Sequence, residues 1–395
     1  MQTLVENEYW ILPKPKYVNI TPNESGITLS SLWTIYVNKY RIKDNALFLS
    51  SKFNRHFNTF LNTIPIRDST LDEKWGEYNY IAVITPESDY EKRIKFNMNE
   101  IVKNHLGQYD AILDSCCFEL YPNQLKSKLP LDESYYINIS KGSIWVLSTS
   151  PNGFYYGIQT LVQIIEHTIF QIENLENYII LPTMTIVDFP DMNYRGISVD
   201  LNSFTPSFKA LSDLIPFLVK CKLNNIVTIH NSKFPYTDEE NTKFRDLCKF
   251  HHIQLSHISN LEELNEHKVK TIQFQMNGRF ILPDYKLSLD IIEKTCKTLS
   301  DKFEGVLIST LKNCNCPLDL QMPLFPMISD MLWNSKIPVT NKKWVYVMEG
   351  AHLNLFEDSL QKSTFDFRKM AQFSSTILQG GEEQIDKRIT EIGTL

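Results

Sequence analysis

Short apolar runs and amphipathic stretches are mixed through the first 187 residues, a pattern typical of an α+β arrangement. Runs rich in β-branched and aromatic side chains between turn signals predict strands. The predicted strands are residues 28–37, 80–85, 135–139 and 144–147, the last two forming a hairpin about residues 141–143. Residues 153–166 have apolar side chains at helical spacing and predict a helix.

After residue 188 short apolar runs alternate regularly with helical stretches. The predicted strands are residues 196–201, 225–229, 253–257, 270–274, 305–309, 344–348 and 376–378; the predicted helices are 207–220, 238–250 and 287–299. Such alternation indicates a parallel sheet with crossover helices. About 200 residues of it favour a small (β/α)₈ barrel with short loops. A doubly wound open sheet is the alternative, although no glycine-rich phosphate loop follows a first strand.

These patterns predict an α/β chain with two domains. The first, residues 1–187, is expected to be a smaller α+β domain with a mixed or antiparallel sheet and helices. The second, residues 188–395, is expected to be a degenerate TIM (β/α)₈ barrel, short-looped and incomplete toward its C-terminal end.

Composition narrows the class of protein without indicating a function. The net charge of −6 is spread along the chain, so we expect no nucleic-acid partner. No apolar run is long enough to span a membrane, and the N-terminus has no signal-peptide pattern, so the sequence alone predicts a cytoplasmic protein. The seven cysteines match neither zinc nor redox spacing, and we expect buried, reduced thiols with no metal or cofactor.

Three segments of the first domain form an ordered set of motifs. Residues 10–15 read WILPKP, residues 133–139 read ESYYINI and residues 153–163 read GFYYGIQTLVQ. In that order they resemble the W-P-x-P opening, the E-x-Y-x-L-x-I hairpin and the G-x-x-x-G-x-x-T-x-x-Q connecting helix of eukaryotic β-hexosaminidases.

Two further motifs open the second domain. Residues 188–200 read DFPDMNYRGISVD and residues 222–224 read KLN. They resemble D-x-P-x-x-x-x-R-G-x-x-x-D on the first barrel strand and K-x-N before the second. Together the motifs make the chain similar to the β-N-acetylhexosaminidases of glycoside hydrolase family 20, clearly over residues 10–230 and faintly over 285–303 and 352–382.

The resemblance implies a specific catalytic requirement. Family 20 enzymes remove terminal N-acetylhexosamine with the acetamido group of the substrate as nucleophile. They need an Asp–Glu pair, written H-x-G-G-D-E, after the fourth barrel strand. We take residues 305–309 as that strand, and residues 310–313 then read TLKN. Neither Lys312 nor Asn313 can replace the Glu as general acid, and loss of such an acid costs about 10²–10⁴ in rate.

A second acidic pair occurs late in the chain. Glu382 and Glu383 follow two glycines, where the family has a G-G-E-x-x-x-W-x-E motif whose Trp and last Glu line the sugar pocket. Those two positions are Asp386 and Arg388 here. We therefore interpret Glu382 as a pocket residue and not as a catalytic acid.

The resemblance assigns five residues to substrate binding and none to catalysis. They are Arg195, Asp200, His230, Asn354 and Glu382. Arg195 matches the arginine that grips the outer hydroxyls of the sugar, and the alternative is an ion pair with Asp188, Asp191 or Asp200. His230 matches the second His of H-W-H-L, and the alternative is a strand-end histidine with a structural hydrogen bond.

Other aromatic candidates have stronger structural alternatives. His257 lies where the family has E-x-D-x-P-G-H and is expected to have no specific role. Trp333 and Trp344 are placed to stack on a sugar, but packing in the barrel core is the favoured interpretation.

Two functional hypotheses remain open. The first is a non-catalytic, hexosaminidase-like pseudoenzyme that binds a glycan with terminal N-acetylhexosamine or a partner chain, in a homodimer or a heterodimer with an active paralogue. The second is a diverged, active β-N-acetylhexosaminidase whose acid lies elsewhere in the sequence. A truncated chain is a third alternative, and family 20 proteins are usually lysosomal or secreted, so the compartment stays open.

Overall fold

The computed structural model of the protein describes most of the chain up to residue 259 and three later segments. The described residues are 11–21, 26–30, 32–37, 43–57, 62–65, 80–84, 100–121, 129–170, 178–202, 205–231, 233–259, 263, 269–273, 305–309 and 324–335. The chain divides into two compact units, Met1–Pro190 and Asp191–Leu395. The predicted helix 287–299 and the predicted strands 344–348 and 376–378 lie outside the described residues.

The first unit is an α+β structure, as the sequence predicts. Its strands are β1 (Tyr17–Ile20), β2 (Ile27–Ser30), β3 (Thr34–Val37), β4 (Asn62–Pro65), β5 (Tyr80–Ile84), β6 (Tyr135–Ser140), β7 (Ser143–Leu147), β8 (Tyr178–Leu181) and β9 (Met184–Asp188). Its helices are α1 (Lys43–Phe57), α2 (Glu100–Leu120) and α3 (Pro151–Phe170), with a 3₁₀ turn at Leu131–Glu133. The predicted strand 28–37 is two strands, because a turn at Leu32 interrupts it.

Seven of these strands form one mixed sheet in the order β1-β9-β6-β7-β5-β3-β4. The β1, β9, β6 and β7 pairings are antiparallel, and β7, β5, β3 and β4 pair in parallel. The predicted hairpin is β6–β7, and its turn residue Gly142 has a φ of 80°, which glycine adopts without strain. β2 and β8 form a separate antiparallel pair.

Helix α3 packs closely on this sheet at a glycine. A Cβ added to Gly157 would lie 3.0 Å from Cγ1 of Val146 and 3.3 Å from Cβ of Tyr135. The second glycine of the G-x-x-x-G motif therefore has a packing reason, because a side chain there would have to push these neighbours aside by a few tenths of an ångström.

A buried hydrogen-bond cluster joins the hairpin to the last strand of the unit. The hydroxyl of Tyr135 donates to Oδ2 of Asp188 over 2.6 Å and lies 2.8 Å from Oγ1 of Thr160. The backbone N–H of Lys16 donates to Oδ1 of Asp188 over 3.1 Å. Burial and the neighbouring Asp188 charge raise the pKa of Tyr135 well above its ordinary value. Asp188, the first residue of the D-x-P motif, thus ties together β1, β6 and α3.

The second unit contains a five-stranded parallel sheet with crossover helices. Its strands are β10 (Tyr194–Asp200), β11 (Asn225–Ile229), β12 (Gln254–Ile258), β13 (Val269–Gln273) and β14 (Gly305–Ser309). Its helices are α4 (Phe208–Lys220), α5 (Asp238–Phe250) and α6 (Leu324–Trp333). Ser207 caps the N-terminus of α4, and Thr237 and Glu240 form a capping box at the start of α5, which fixes both helix starts.

The strand order is β12-β11-β10-β14-β13, and all four pairings are parallel. The chain moves in the same direction across the sheet each time it passes between neighbouring strands, from β10 to β11, from β11 to β12 and from β13 to β14. A doubly wound sheet reverses direction at its first strand, so the described strands are singly wound like a sector of a barrel. A closed barrel is not confirmed, because β12 and β13 are edges of the described sheet.

The position of β14 corrects the sequence interpretation. Residues 305–309 were expected to be the fourth barrel strand, which would pair with the third. Instead β14 pairs with β10 in the register Ser198↔Ser309, and β13 pairs on its other side. In a barrel wound in one direction, the first strand lies between the second strand and the last strand. Because β11 is on one side of β10, β14 on the other side takes the position of the last strand. Residues 259–268 between β12 and β13 can form one crossover, but an additional strand would need a second crossover of at least about ten residues, for which there is no room.

Candidate functional site

The carboxyl ends of parallel strands meet at one edge of a sheet, where ligand sites of α/β proteins lie. Asp200 ends β10, and its Oδ1 accepts the backbone N–H of Asn202 over 3.0 Å. Oδ1 of Asn202 in turn accepts the backbone N–H of Asn231, which follows β11, over 2.9 Å. The structure therefore brings Asp200 and the loop containing His230 to the same edge.

His230 lies directly after β11 and its backbone N–H donates to the carbonyl of Ile258 at the end of β12 over 3.1 Å. Nε2 of His230 lies 3.4 Å from Nδ1 of His257, and the two ring centroids are 5.3 Å apart. Nδ1 of His257 is also 2.5 Å from Oγ1 of Thr228, its register partner on β11. The two histidines thus form a pair at the carboxyl edge of β11 and β12.

Aromatic packing holds this histidine pair. The ring of Phe234 lies 5.7 Å from the ring of His230 and 5.3 Å from that of His257, with edge-on contacts to both. Phe234 is itself buried and packs 5.1 Å from Tyr236 and 6.2 Å from Phe244 of α5. His257, which the sequence interpretation left without a role, is therefore part of an ordered cluster. Only its three-dimensional partners reveal it.

Electrostatics favour the neutral form of His257. Burial lowers its pKa below the ordinary value, and the charges of His230 and Arg245 lower it further. A neutral imidazole has one nitrogen lone pair available to accept a hydrogen bond or to bind a metal ion. His257 is nevertheless exposed at this edge, so that the cluster can be reached from solvent.

Arg195 lies in a different place from Asp200 and His230. It is the second residue of β10, about 16 Å along the strand from the carboxyl end, and its side chain is fully buried. Its Nε donates to the carbonyl of Lys222 over 3.2 Å, and Nη1 donates to the carbonyls of Met192 and Asn193. The guanidinium therefore satisfies backbone acceptors at the amino end of the sheet. The position expected from the resemblance, at a barrel mouth, is not the observed one.

Trp333 completes the surroundings of Arg195. The Arg195 guanidinium carbon lies 4.8 Å from the Trp333 ring centroid, and Nζ of Lys222 lies 4.6 Å from it. Trp333 is fully buried on α6, which confirms core packing over sugar stacking for this residue. Two residues of the K-x-N motif also hold Arg195 in place. The carbonyl of Lys222 accepts a hydrogen bond from Nε of Arg195, and Oδ1 of Asn224 accepts its backbone N–H over 2.9 Å.

Several predicted positions lie outside the described residues. They are Asn354, Glu382, Lys312, Asn313 and Trp344. The four cysteines within the described ranges are buried and form no disulfide with one another, as expected from the sequence. Those ranges also contain no helix with the length and hydropathy of a membrane span.

One acidic residue near the edge was missed by the sequence interpretation. Oε1 of Glu263 accepts the backbone N–H of Ser259, the first residue after β12, over 3.0 Å. The sequence feature that could have identified it is a pair of adjacent acids, Glu262 and Glu263, beginning five residues after the predicted third strand. Glu263 is exposed, and it is the only carboxylate that we can assign to the loop after β12 within the described residues.

Comparison with known families confirms the resemblance for one part of the chain. Residues 81–189 match the family profile described as glycosyl hydrolase family 20, domain 2. This span includes the hairpin β6–β7, helix α3 and Asp188, and so it covers three of the five sequence motifs in whole or in part. The second unit lies outside the matched span.

Solved structures give weaker similarities. Flavobacterium johnsoniae chitobiase is 16% identical, with 88% of this chain and 51% of that chain covered and a TM-score of 0.42. The β-N-acetylhexosaminidase of Streptomyces coelicolor A3(2) is 10% identical, with 76% and 59% covered and a TM-score of 0.43. CpGH84D is 17% identical, with 77% and 44% covered and a TM-score of 0.43. The chain spans about half the length of these proteins. Because every TM-score is below 0.5, the resemblance rests on the match over residues 81–189.

Proposed function

From the family 20 match over residues 81–189, we propose that the protein is a hexosaminidase-like glycan-binding protein without the catalytic Asp–Glu pair. One observation carries this proposal. Neither β13, which is fourth in chain order, nor β14, which the sequence motifs suggested, is followed closely by a carboxylate. Residues 274–283 after β13 and residues 310–318 after β14 contain no Asp or Glu.

This observation is independent of the corrected strand order. If β13, the fourth strand along the chain, is the equivalent one, the next acid is Asp284; if β14 is, the next acid is Asp319. Both are too far along the chain to stand at the strand end, where a general acid must be within hydrogen-bond reach of the leaving oxygen. The proposal therefore does not depend on which strand is chosen.

The proposed ligand is a glycan with a terminal N-acetylhexosamine, bound at the carboxyl edge of β10 and β11. Asp200 and His230 are the proposed contacts among the described residues, with Asn354 and Glu382 as proposed contacts beyond them. Arg195 is better assigned to the scaffold, because its guanidinium is buried against backbone carbonyls. A dimer with a second copy or with an active paralogue remains part of this proposal.

The proposed architecture of the second unit is a barrel-like sheet to which the five described strands belong. The common direction of the strand steps and the place of β14 beside β10 support this arrangement.

The first experiment measures turnover of 4-nitrophenyl N-acetyl-β-glucosaminide by the full chain between acid and neutral pH. We expect no turnover from folded protein.

A second candidate function, that of a diverged active hexosaminidase, is favoured by Glu263, which lies beside the end of β12. Turnover that disappears in Glu263→Gln would establish that candidate and refute the proposal.

The second experiment measures binding of N-acetylglucosamine and its β-1,4-linked dimer by calorimetry. Asp200→Asn is expected to weaken binding at least several-fold while it keeps the oxygen that accepts the N–H of Asn202. Asp213→Asn, on the exposed side of α4, is the matched control and should bind like the wild type. Equal binding by all three proteins, or no binding at all, would remove this edge as a glycan site.

A further inference from the structure

We propose that His230 and His257 bind a divalent transition-metal ion at the carboxyl edge of β11 and β12. The two nitrogens that face each other, Nε2 of His230 and Nδ1 of His257, are 3.4 Å apart. Imidazole nitrogens suit Zn²⁺, Ni²⁺ and Cu²⁺ and are the commonest protein ligands for them. The proposal replaces the expectation from sequence that the protein has no metal ion.

The separation of the two nitrogens fits one ion between them. Zinc binds imidazole nitrogen at about 2.0–2.1 Å. Two nitrogens at that distance from one ion and 3.4 Å from each other subtend about 110° at the ion, which is the tetrahedral angle. A direct hydrogen bond between the same nitrogens would be shorter, near 2.9–3.0 Å. The spacing thus suits a chelate better than a hydrogen bond.

The backbone fixes the two histidines before any ion arrives. Thr228 and His257 are register partners of the β11–β12 pairing, and the N–H of His230 donates to the carbonyl of Ile258. Both rings also contact the buried ring of Phe234. Metal binding therefore requires little ordering of side chains, which is the main cost of assembling a chelate.

The remaining positions around the ion would be taken by oxygen atoms. The Thr228 hydroxyl is hydrogen-bonded to Nδ1 of His257 at 2.5 Å, so it must turn away before Nδ1 binds an ion, and it can then bond to a water held by that ion. Among the described residues, no group of three or more His, Cys, Asp or Glu side chains is arranged around one point. The site is therefore a two-histidine chelate with coordination positions open to water.

The proposed glycan site also uses His230, so the metal ion and the glycan would compete for this side chain. The metal proposal does not depend on glycan binding, because the chelate rests on the histidine geometry alone.

The test is a calorimetric titration of the metal-free full chain with Zn²⁺ at pH 7.5. We compare wild type with His230→Gln, His257→Gln and the control His252→Asn. His252 lies five residues before His257 and has a φ of 57°, which Asn tolerates. We expect one binding event that is lost in both test variants and kept in the control. Thermal melting without metal checks that each variant is folded.

A melting shift gives an independent readout. An ion that binds only the folded state raises the melting temperature in a concentration-dependent way. Zn²⁺ should therefore stabilise wild type and His252→Asn, and should leave at least one folded test variant unshifted. Zn²⁺ binding of unchanged strength in both test variants would place the ion on thiols or histidines elsewhere and would overturn the proposal. No binding by the wild type would overturn it equally.

Discussion

The guanidinium of Arg195 lies 4.8 Å from the centre of the Trp333 ring, and both side chains are fully buried in the second unit. The pair joins the start of β10 to the end of α6, and the backbone N–H of Asp191 donates to the carbonyl of Trp333 over 2.9 Å beside it. A buried arginine is stable only where its donors are satisfied, and here backbone carbonyls accept hydrogen bonds from Nε and Nη1. The residue that the resemblance assigns to the sugar therefore supports the fold.

Arg195→Lys is expected to lower the free energy of unfolding of the second unit by about 2–4 kcal/mol. Lysine lacks the planar fork that reaches the carbonyls of Met192 and Lys222 together, and unsatisfied buried acceptors cost about 1–3 kcal/mol each. Urea denaturation followed by circular dichroism measures the change. Arg245→Lys on the exposed face of α5 is the matched control and should stay within about 0.5 kcal/mol. Equal stability of both variants would mean that Arg195 is available for a ligand.

Gly305→Ala is expected to destabilise the second unit by more than about 2 kcal/mol. A Cβ at this position would overlap the carbonyl oxygen and Cβ of Tyr194, because β14 and β10 approach closely at this pair. Gly107→Ala is the opposite case, since a Cβ on that residue of α2 meets nothing within 4 Å. It should stabilise the chain by about 0.5–1 kcal/mol through helix propensity. Chemical denaturation measures the free energy of unfolding of both variants. A Gly305→Ala variant as stable as the wild type would argue against the pairing of β14 with β10.

A disulfide between positions 198 and 309 is expected to form in the double variant Ser198→Cys, Ser309→Cys. These residues are register partners on neighbouring strands, and adjacent strands lie about 4.8 Å apart, within reach of a disulfide. Ser256→Cys with Ser309→Cys is the control, since three strand spacings separate β12 from β14, about 14 Å. Peptide mass spectrometry after mild oxidation identifies the bond. Cross-linking of the control pair alone would place β14 beside β12, as the fourth strand of a barrel.

The stability of the first unit is expected to fall as pH decreases from about 6.5 toward 4 because of His105. Burial lowers the pKa of His105 from 6.5 to about 4, while its ring stacks on Trp145 at 4.3 Å. The unfolded chain therefore takes up the proton first, so this contribution to stability is complete above pH 6.5 and is lost on acidification. His105→Phe keeps the stacking but cannot titrate. Its urea midpoint should change less than that of the wild type between pH 7.5 and pH 5, and equal changes would rule out His105 as the cause.

Local sequence patterns predicted most of the described elements. The hairpin β6–β7, helices α3, α4 and α5, and strands β10 to β14 follow the predicted segments within a few residues. These elements were predictable because their signals are local: apolar runs bounded by turn residues in strands, and helical spacing of apolar residues. The split of residues 28–37 was missed because the Leu32 turn lacks a Gly or Pro.

The partners of the strands were not predictable in the same way. Nothing in residues 305–309 indicates that they pair with β10 and not with β12, because both neighbours are apolar parallel strands. The same limit applies to Arg195 and His257. A motif match gave Arg195 a ligand role, whereas its burial depends on Trp333, which is 138 residues away along the chain.

The sequence by itself determined the local elements, the order of motifs that resemble family 20, and the absence of carboxylates from residues 274–283 and 310–318. It could do so because each depends on residue type and spacing within one segment. The tertiary structure alone decided that β14 lies beside β10, that Arg195 is enclosed, and that His230 and His257 meet. These depend on contacts between segments far apart in sequence, which form only when the sheet and its helices bury their apolar faces together.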